Sequence, residues 1–140
     1  MHHSMNKKLT IGCSKNELIK IRQFTSDALE EKSVPDLQAH KLVLAVDEVC
    51  ANLIIHANNC DPGNQIEFKI QFKPRQIIFT FKDKGIGFDI NKYQAPSMDE
   101  IVSTRRQGGL GLMLVKRIMD KIEFSTEKNH NICRLIKTYP

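Results

Sequence analysis

The sequence is poor in the features that mark fibrous and membrane-spanning proteins. It has no tryptophan, seven glycines and five prolines in 140 residues, which excludes collagen-like and low-complexity chains. Its longest apolar run, Leu42–Val46, is far shorter than the roughly 18 residues of a membrane-spanning helix, so no membrane association is expected. The length suits one domain, which we expect to occupy residues 1–140.

Cysteine pairs with metal-binding spacing are also missing. The four cysteines are scattered, and in a domain that can fold without crosslinks this favours the reduced cytoplasm over a disulfide framework or a zinc site. The formal charge of +5 suits a phosphate-bearing ligand or an acidic partner. The phenylalanines alternate as in core strands and form no RNA-binding motif, so direct contact with nucleic acid is not expected.

Helical spacing marks two segments in the first half of the chain. Ser14 and Glu17 have the spacing of a capping box, which predicts a helix that ends near Lys32. Pro35 suits the first turn of a second helix, which is apolar on nearly all sides up to Ile55. We therefore predict that the second helix is central and buried.

Alternation of apolar and polar residues predicts the strands that follow. Pro74 and Arg75 form the turn of a predicted hairpin, and a helix and a last strand pair come later in the chain. These elements are predicted over residues 65–73, 77–81, 114–122, 123–128 and 132–139. Because helices and antiparallel strands are segregated along the chain, the order favours a two-layer α+β sandwich.

Two stretches are expected to lie outside these elements. Residues 1–6 are expected to be a disordered start or a tag remnant. Residues 84–107 are polar, contain Pro96 and show little periodicity, and loops of this length are often functional lids. We therefore predict a lid over residues 84–107.

A polar stripe interrupts the buried second helix. Glu48, Asn52 and His56 are spaced by four, which places them on neighbouring turns of one face. A buried amide without a partner costs roughly 2–7 kcal/mol, so partners are expected. Either Mg²⁺ or a hydrogen-bond network between helices would satisfy the carboxylate and the amide. His56, near the helix end, is better explained as a C-terminal cap than as a ligand.

An aspartate and two glycines directly follow the second strand of the hairpin. Asp83 has the parity of that strand's apolar residues, so we expect its side chain to face the covered side of the sheet. Gly85 and Gly87 would let the backbone approach a ligand closely, although an ordinary turn would also explain them. The segment is not a Rossmann fingerprint, because Ile90 stands where the third glycine would be.

A glycine-rich segment precedes the predicted third helix. Gly109, Leu110 and Gly111 would open that helix, and backbone N–H groups at a helix N-terminus bind anions. Arg105 and Arg106 would add donors suited to phosphate oxygens, and the alternative is that the glycines form a flexible hinge. The segment lacks a Walker motif, which excludes a P-loop NTPase.

Taken in order along the chain, these motifs resemble the GHKL, or Bergerat-fold, ATPases, and in particular the serine/threonine kinases that act as anti-sigma factors. Glu48, Asn52 and His56 resemble the N box of that family. The segment 83–89 resembles its G1 box, and the segment 109–112 resembles its G2 box. The resemblance implies a mixed, mostly antiparallel sheet that helices cover on one face.

The resemblance also implies roles for individual residues. Glu48 would be the general base and Asn52 would hold the Mg²⁺ that bridges the phosphates of ATP. Asp83 would recognise the adenine amine. The remaining cofactor-binding residues implied by the resemblance are Gly85, Gly87, Arg105, Arg106, Gly109, Leu110 and Gly111.

These roles lead to an expected function. The resemblance implies an ATP- and Mg²⁺-dependent kinase that phosphorylates a serine of an anti-anti-sigma (STAS-type) partner, with a sigma factor as the competing partner. It also allows a homodimer. Two alternatives stay open: a non-catalytic module that binds nucleotide and sequesters a partner, and the ATP-binding part of a histidine kinase. The second alternative lacks a preceding helical hairpin with a phospho-acceptor histidine in this chain.

Overall fold

A computed structural model describes residues 5–57, 61, 63–84 and 109–138. This part of the chain contains five strands, three α-helices, a 3₁₀ turn over Lys15–Glu17 and a π-helical turn over Leu53–Ala57. The strands and helices are β1 (Met5–Gly12), α1 (Leu18–Glu31), α2 (Asp36–Asn52), β2 (Gln65–Lys73), β3 (Gln76–Asp83), α3 (Gly109–Ile118), β4 (Lys121–Glu127) and β5 (His130–Thr138). None of the helices in this part of the chain is long and apolar enough to cross a membrane.

The five strands form one sheet in the order β1-β2-β3-β5-β4. We expected a mixed, mostly antiparallel sheet, and all four pairings between the described strands are antiparallel. The side chains on one face of β2 are buried, and those on the other face are partly exposed. The predicted α+β class is confirmed.

The three helices cover one face of this sheet and enclose the hydrophobic core. Phe68 lies at the centre of that face, with its ring centroid 4.9 Å from that of Phe81 and 6.2 Å from that of Phe79. Phe24 of α1 meets the same ring edge-on at 6.0 Å. The two-layer arrangement follows from the period of two in the strands, because alternate residues of one strand face opposite sides of a sheet.

Helix α1 runs antiparallel to β1, and α2 runs antiparallel to α1. The first relation is shown by an ion pair between Lys7, early in β1, and Glu31, at the end of α1. The second is shown by Arg22, whose Nε donates to Asp47 Oδ1 at 2.7 Å. The C-terminal end of α2 therefore lies at the same end of the molecule as the C-terminal end of β1.

The turns that join these elements have identifiable causes. Ser14 Oγ accepts from the Asn16 N–H at 3.4 Å, and Glu17 Oε1 accepts from the Gly12 N–H at 3.4 Å, so the predicted capping residues act on a 3₁₀ turn. Helix α1 ends with Ser33 at a φ of 58° and a bond from the Val34 N–H to Leu29 O, the pattern of a Schellman motif.

Two boundaries differ from the prediction. The disordered start expected over residues 1–6 is wrong for Met5 and Asn6, because both belong to β1 and lie opposite Phe72 and Gln71 of β2. Strand β2 is nine residues long and therefore extends far enough to pair with Met5 and Asn6.

The second difference concerns the end of the last helix, which the sequence placed at Ile122. Helix α3 ends at Ile118, and Ile122 lies in β4 opposite Leu135. Ile118 and Ile122 have helical spacing, but Ile122 and Phe124 have strand spacing, and pairing with β5 decides between them. The β4–β5 turn is Lys128-Asn129, with φ of 48° and 68°, as in the type I′ turns that suit two-residue hairpins.

Candidate functional site

Asn52 is a buried amide at the end of α2, with 5% of its surface exposed. Its Nδ2 donates to the backbone oxygen of Glu48 at 2.7 Å, so the helix itself satisfies the nitrogen end of the amide. Among the described residues, none donates a hydrogen bond to Asn52 Oδ1. An amide oxygen such as Asn52 Oδ1 is a ligand for hard cations.

Glu48 lies one turn before Asn52 and is half-buried. Burial raises the pKa of its carboxyl above the ordinary value, and the negative charge of neighbouring Asp47 raises it further. Asp47 is held in place by Arg22 of α1. Sequence reasoning missed this ion pair, because it depends on how α1 and α2 pack rather than on the spacing of residues within either helix.

Asp83 ends β3 on the face that the helices cover. It is 3% exposed, as expected from the parity that it shares with Ile77, Phe79 and Phe81. Its Cα partner on the neighbouring strand is Asn131, at the start of β5. The orientation predicted for Asp83 from the alternation of β3 is therefore confirmed, whereas its contact with an adenine stays a prediction.

Helix α3 begins at Gly109, as expected for a Gly-x-Gly segment that opens a helix. The first N–H groups of an α-helix have no partner within the helix and carry its positive dipole end. Gly109 and Gly111 have no side chain to block the approach of a ligand to these groups. The side chain of Leu110 lies outside the described residues.

The C-terminal end of α3 lies beside the C-terminal end of β5. The Lys137 ammonium donates to Ile118 O at 2.9 Å, and the Asp120 N–H donates to Ile136 O at 3.0 Å. Only Met119 and Asp120 separate α3 from β4, which favours antiparallel packing of the helix on that strand. The N-terminus of α3 is thereby directed toward the end of the sheet at which β5 begins.

Three of the predicted site elements therefore share one end of the molecule. The C-terminal end of α2 lies there because α1 and α2 reverse direction over β1. Asp83 lies there because β3 ends beside the start of β5. The N-terminus of α3 is directed there, and α3 packs against α2. The topology thus brings Asn52, Asp83 and Gly109 to one end of the covered face.

The rest of the predicted site lies outside the described residues. This applies to Gly85, Gly87, Arg105 and Arg106, and to the whole predicted lid except Lys84. The backbone of His56 belongs to the π-helical turn that follows α2, but its predicted role as a cap concerns a side chain outside the described set. The parts of the site that the structure does position are those on α2, β3 and α3.

A cavity of about 340 Å³ opens at the same end of the sheet. Its lining residues are Gly63, Asn64, Gln65, Glu67, Lys82, Asp83, Lys84 and His130. Glu67 and Lys82 lie on the uncovered face of the sheet, whereas Asp83, at the end of β3, also belongs to the candidate site on the covered face. Sequence reasoning gave Glu67 and Lys82 no role, and the alternation of β2 and β3 was the signal that placed them on the uncovered side.

Residues 14–137 match the family model described as the histidine kinase-like ATPase domain. A serine-protein kinase RsbW from Bacillus licheniformis is 30% identical over 118 residues, which are 78% of this chain and 71% of that protein. An anti-sigma F factor from Clostridium perfringens is 27% identical over 85 residues, which are 61% of each chain. The chain thus spans less than two-thirds of the second relative.

The fold is also similar to that of a solved structure. A chain in the crystal structure of the SiaB–SiaC complex from Pseudomonas aeruginosa superposes with a TM-score of 0.68, over 93% of this chain and 88% of that chain. The two sequences are 12% identical, so this likeness concerns the fold alone. It agrees with the two-layer α+β arrangement described above.

The raised pKa of Glu48 predicts a pH-dependent stability difference. Because the pKa of Glu48 is higher in the folded chain than its ordinary value of 4.5, the free energy of unfolding decreases as the pH rises from 4.5 through the raised pKa. Glu48→Gln removes this decrease, so we expect the variant to have a higher free energy of unfolding than the wild type at pH 7. The difference should shrink toward zero near pH 4, as measured by urea unfolding.

Glu30→Gln, on the exposed side of α1, is the matched control. It should stay within about 0.5 kcal/mol of the wild type at both pH values, as surface substitutions usually do. A Glu48→Gln variant that is less stable than the wild type at pH 7 would show that the carboxylate makes a stabilising contact instead.

Proposed function

Because the chain belongs to the family of histidine kinase-like ATPase domains, we propose that it is a serine/threonine protein kinase of the anti-sigma type. An ATPase domain implies the use of ATP. The names of the relatives, a serine-protein kinase and an anti-sigma factor, support the narrower assignment. We further propose that residues 1–140 act as one ATP-binding kinase domain.

The observation that carries this proposal is the pairing of Glu48 with Asn52 on α2. A serine hydroxyl must lose a proton as it attacks a phosphoryl group, and a carboxylate within hydrogen-bond reach accepts that proton. A pKa above the ordinary glutamate value makes the ionised Glu48 carboxylate a stronger base, which accepts a proton more readily. Glu48 is half-buried rather than enclosed, so a hydroxyl from another protein has access to it.

Asn52 fits the binding of a magnesium ion that also binds phosphate oxygens. Mg²⁺ usually takes one or two protein oxygens and completes its octahedron with water and substrate phosphates. Among the described residues, no cluster of three acidic, histidine or cysteine side chains would hold a metal alone, which agrees with such shared coordination. When bound, Mg²⁺ would neutralise charge on the phosphates, and Asn52 Oδ1 would fix its position.

The remaining positions would bind the two ends of the nucleotide. We assign Asp83, with Gly85 and Gly87 shaping the pocket, to the adenine amine. The phosphates would lie at the N-terminus of α3, where Gly109, Leu110 and Gly111 supply backbone N–H groups. Arg105 or Arg106 would contact the γ-phosphate from the lid over residues 84–107. Positioning and charge stabilisation then supply most of the catalysis.

The proposed substrate is a serine on an anti-anti-sigma protein of the STAS type. A sigma factor would be the competing partner, as the name of the anti-sigma F relative suggests. A homodimer and a cytoplasmic location belong to the same proposal, and the location rests on the scattered cysteines.

Removing the proposed base is the direct test of the kinase assignment. In Glu48→Gln, we expect transfer of phosphate to an anti-anti-sigma protein from the same genome to fall by about 10²–10⁴-fold, because general-base catalysis contributes that much. ATP affinity should change little. Intact-mass measurement of the partner gives the rate, and Glu30→Gln should transfer at the wild-type rate. The wild-type rate should decline on acidification through the raised Glu48 pKa.

Two results would contradict the assignment in different ways. Transfer by Glu48→Gln at the wild-type rate would mean that Glu48 is not the base. If the wild type binds the partner and ATP but transfers no phosphate, the chain is a non-catalytic sequestering module.

Removing the proposed metal ligand tests the role of Mg²⁺. A ligand at about 100 times its Kd stabilises a protein by about 2.7 kcal/mol. We expect Mg²⁺-dependent stabilisation by ATP in the wild type and loss of most of it in Asn52→Ala, measured by thermal unfolding with Mg²⁺ or EDTA. Asn6→Ala, on the strand edge of the sheet, is the control and should keep the full effect. An Asn52→Ala variant with the wild-type Mg²⁺ dependence would rule out this ligand.

A further inference from the structure

The exposed large hydrophobic side chains of the described residues all lie on the helical layer. Leu37 is 70% exposed, Leu44 is 42% exposed and Ile55 is 38% exposed. The first two belong to α2, and Ile55 belongs to the π-helical turn that continues it. Ile19 of α1, at 69%, is the fourth. The helix that carries Glu48 therefore also carries two of these four exposed side chains, Leu37 and Leu44.

The two exposed leucines of α2 lie on one line along its outer side, together with two charged residues. Leu37, Lys41, Leu44 and Glu48 are separated by four, three and four positions, the spacing of a single helical face. We call these four residues the α2 stripe. Lys41 is exposed and Glu48 is half-buried, so solvent reaches the stripe along its length.

The α2 stripe ends at the proposed base. From Leu37 to Glu48 it spans eleven positions, or about 17 Å at 1.5 Å per residue. A folded protein that brings a serine hydroxyl to Glu48 must approach α2 from its outer side, because the inner side is packed on the sheet. The surface around that serine then lies over the neighbouring turn, where Leu44 is exposed, and extends toward Leu37.

We propose that the α2 stripe is the docking surface for the protein substrate, and that the partner places apolar side chains against Leu37 and Leu44. This inference rests on the proposed function, since it takes Glu48 as the base. Lys41 lies between the two leucines and is matched by an acidic side chain on the partner. The partner is thus an anti-anti-sigma domain whose target serine is flanked by an apolar patch with a negative charge within it.

The uncovered face of the sheet does not fit this role. Many of its side chains are charged, and Glu67 forms an ion pair with Lys8 at 2.9 Å. Lys69 and Lys82 lie nearby, around a second, smaller depression. This face is on the opposite side of the sheet from α2, so a serine of a partner bound there would not reach Glu48.

The test uses the double variant Leu37→Gln/Leu44→Gln in the full chain. Glutamine has a helix propensity close to that of leucine, so α2 should form normally. We expect the KM for a genome-matched anti-anti-sigma protein to rise about tenfold or more, as for loss of central interface anchors. The kcat at saturating partner and the Kd for ATP should stay within about twofold. Ile19→Gln is the matched control, equally exposed but on α1, and should leave KM unchanged.

Each other outcome overturns the proposal in a recognisable way. An unchanged KM in the double variant removes the docking surface but leaves the kinase assignment intact, and so does an equal rise in Ile19→Gln. A change in oligomeric state without a change in KM would assign the stripe to a second copy of this chain. If the wild type neither binds nor phosphorylates the partner, the proposed function fails together with this inference. Leu37→Gln alone serves if the double variant does not fold.

Discussion

Helix α2 packs as the central helix of the core and also carries a carboxylate and an amide near its C-terminal end. The rest of the site depends on how this one helix combines a buried apolar surface with these two polar groups. Its apolar side chains, among them Leu42, Val46 and Val49, are buried. Asn52 is buried as well, and its amide nitrogen donates to the Glu48 carbonyl. Burying a polar group is costly unless it is hydrogen-bonded, and this bond within the helix lowers that cost at the end of α2.

The direction in which each element runs is what turns scattered motifs into one site. Three polar contacts reveal these directions: Lys7 with Glu31, Arg22 with Asp47, and Lys137 with the Ile118 carbonyl. Surface contacts of this kind contribute little to stability, with a typical value of about 0–1 kcal/mol. They nevertheless show which ends of neighbouring helices and strands lie together. The contact of Arg22 with Asp47 also joins α1 to the turn of α2 that carries Glu48.

Sequence patterns predicted the parts of this structure that depend on local periodicity. The burial of Asp83 followed from the alternation in β3, and the start of α3 at Gly109 followed from the Gly-x-Gly segment. Features that depend on packing between distant segments were not predicted. The pairing of Met5 with Phe72 and the burial that raises the pKa of Glu48 both need the assembled fold. The roles of the lid residues stay predictions from the resemblance.

The central claim is that Mg²⁺ and ATP bind between the polar end of α2 and the start of α3, on the covered side of the sheet. A crystal structure with Mg²⁺ and a non-hydrolysable ATP analogue tests this most directly. We expect the metal at about 2.0–2.1 Å from Asn52 Oδ1 and the adenine amine within hydrogen-bond reach of the Asp83 carboxylate. A nucleotide held instead in the cavity lined by Lys82 and His130, with no metal at Asn52, would contradict the account.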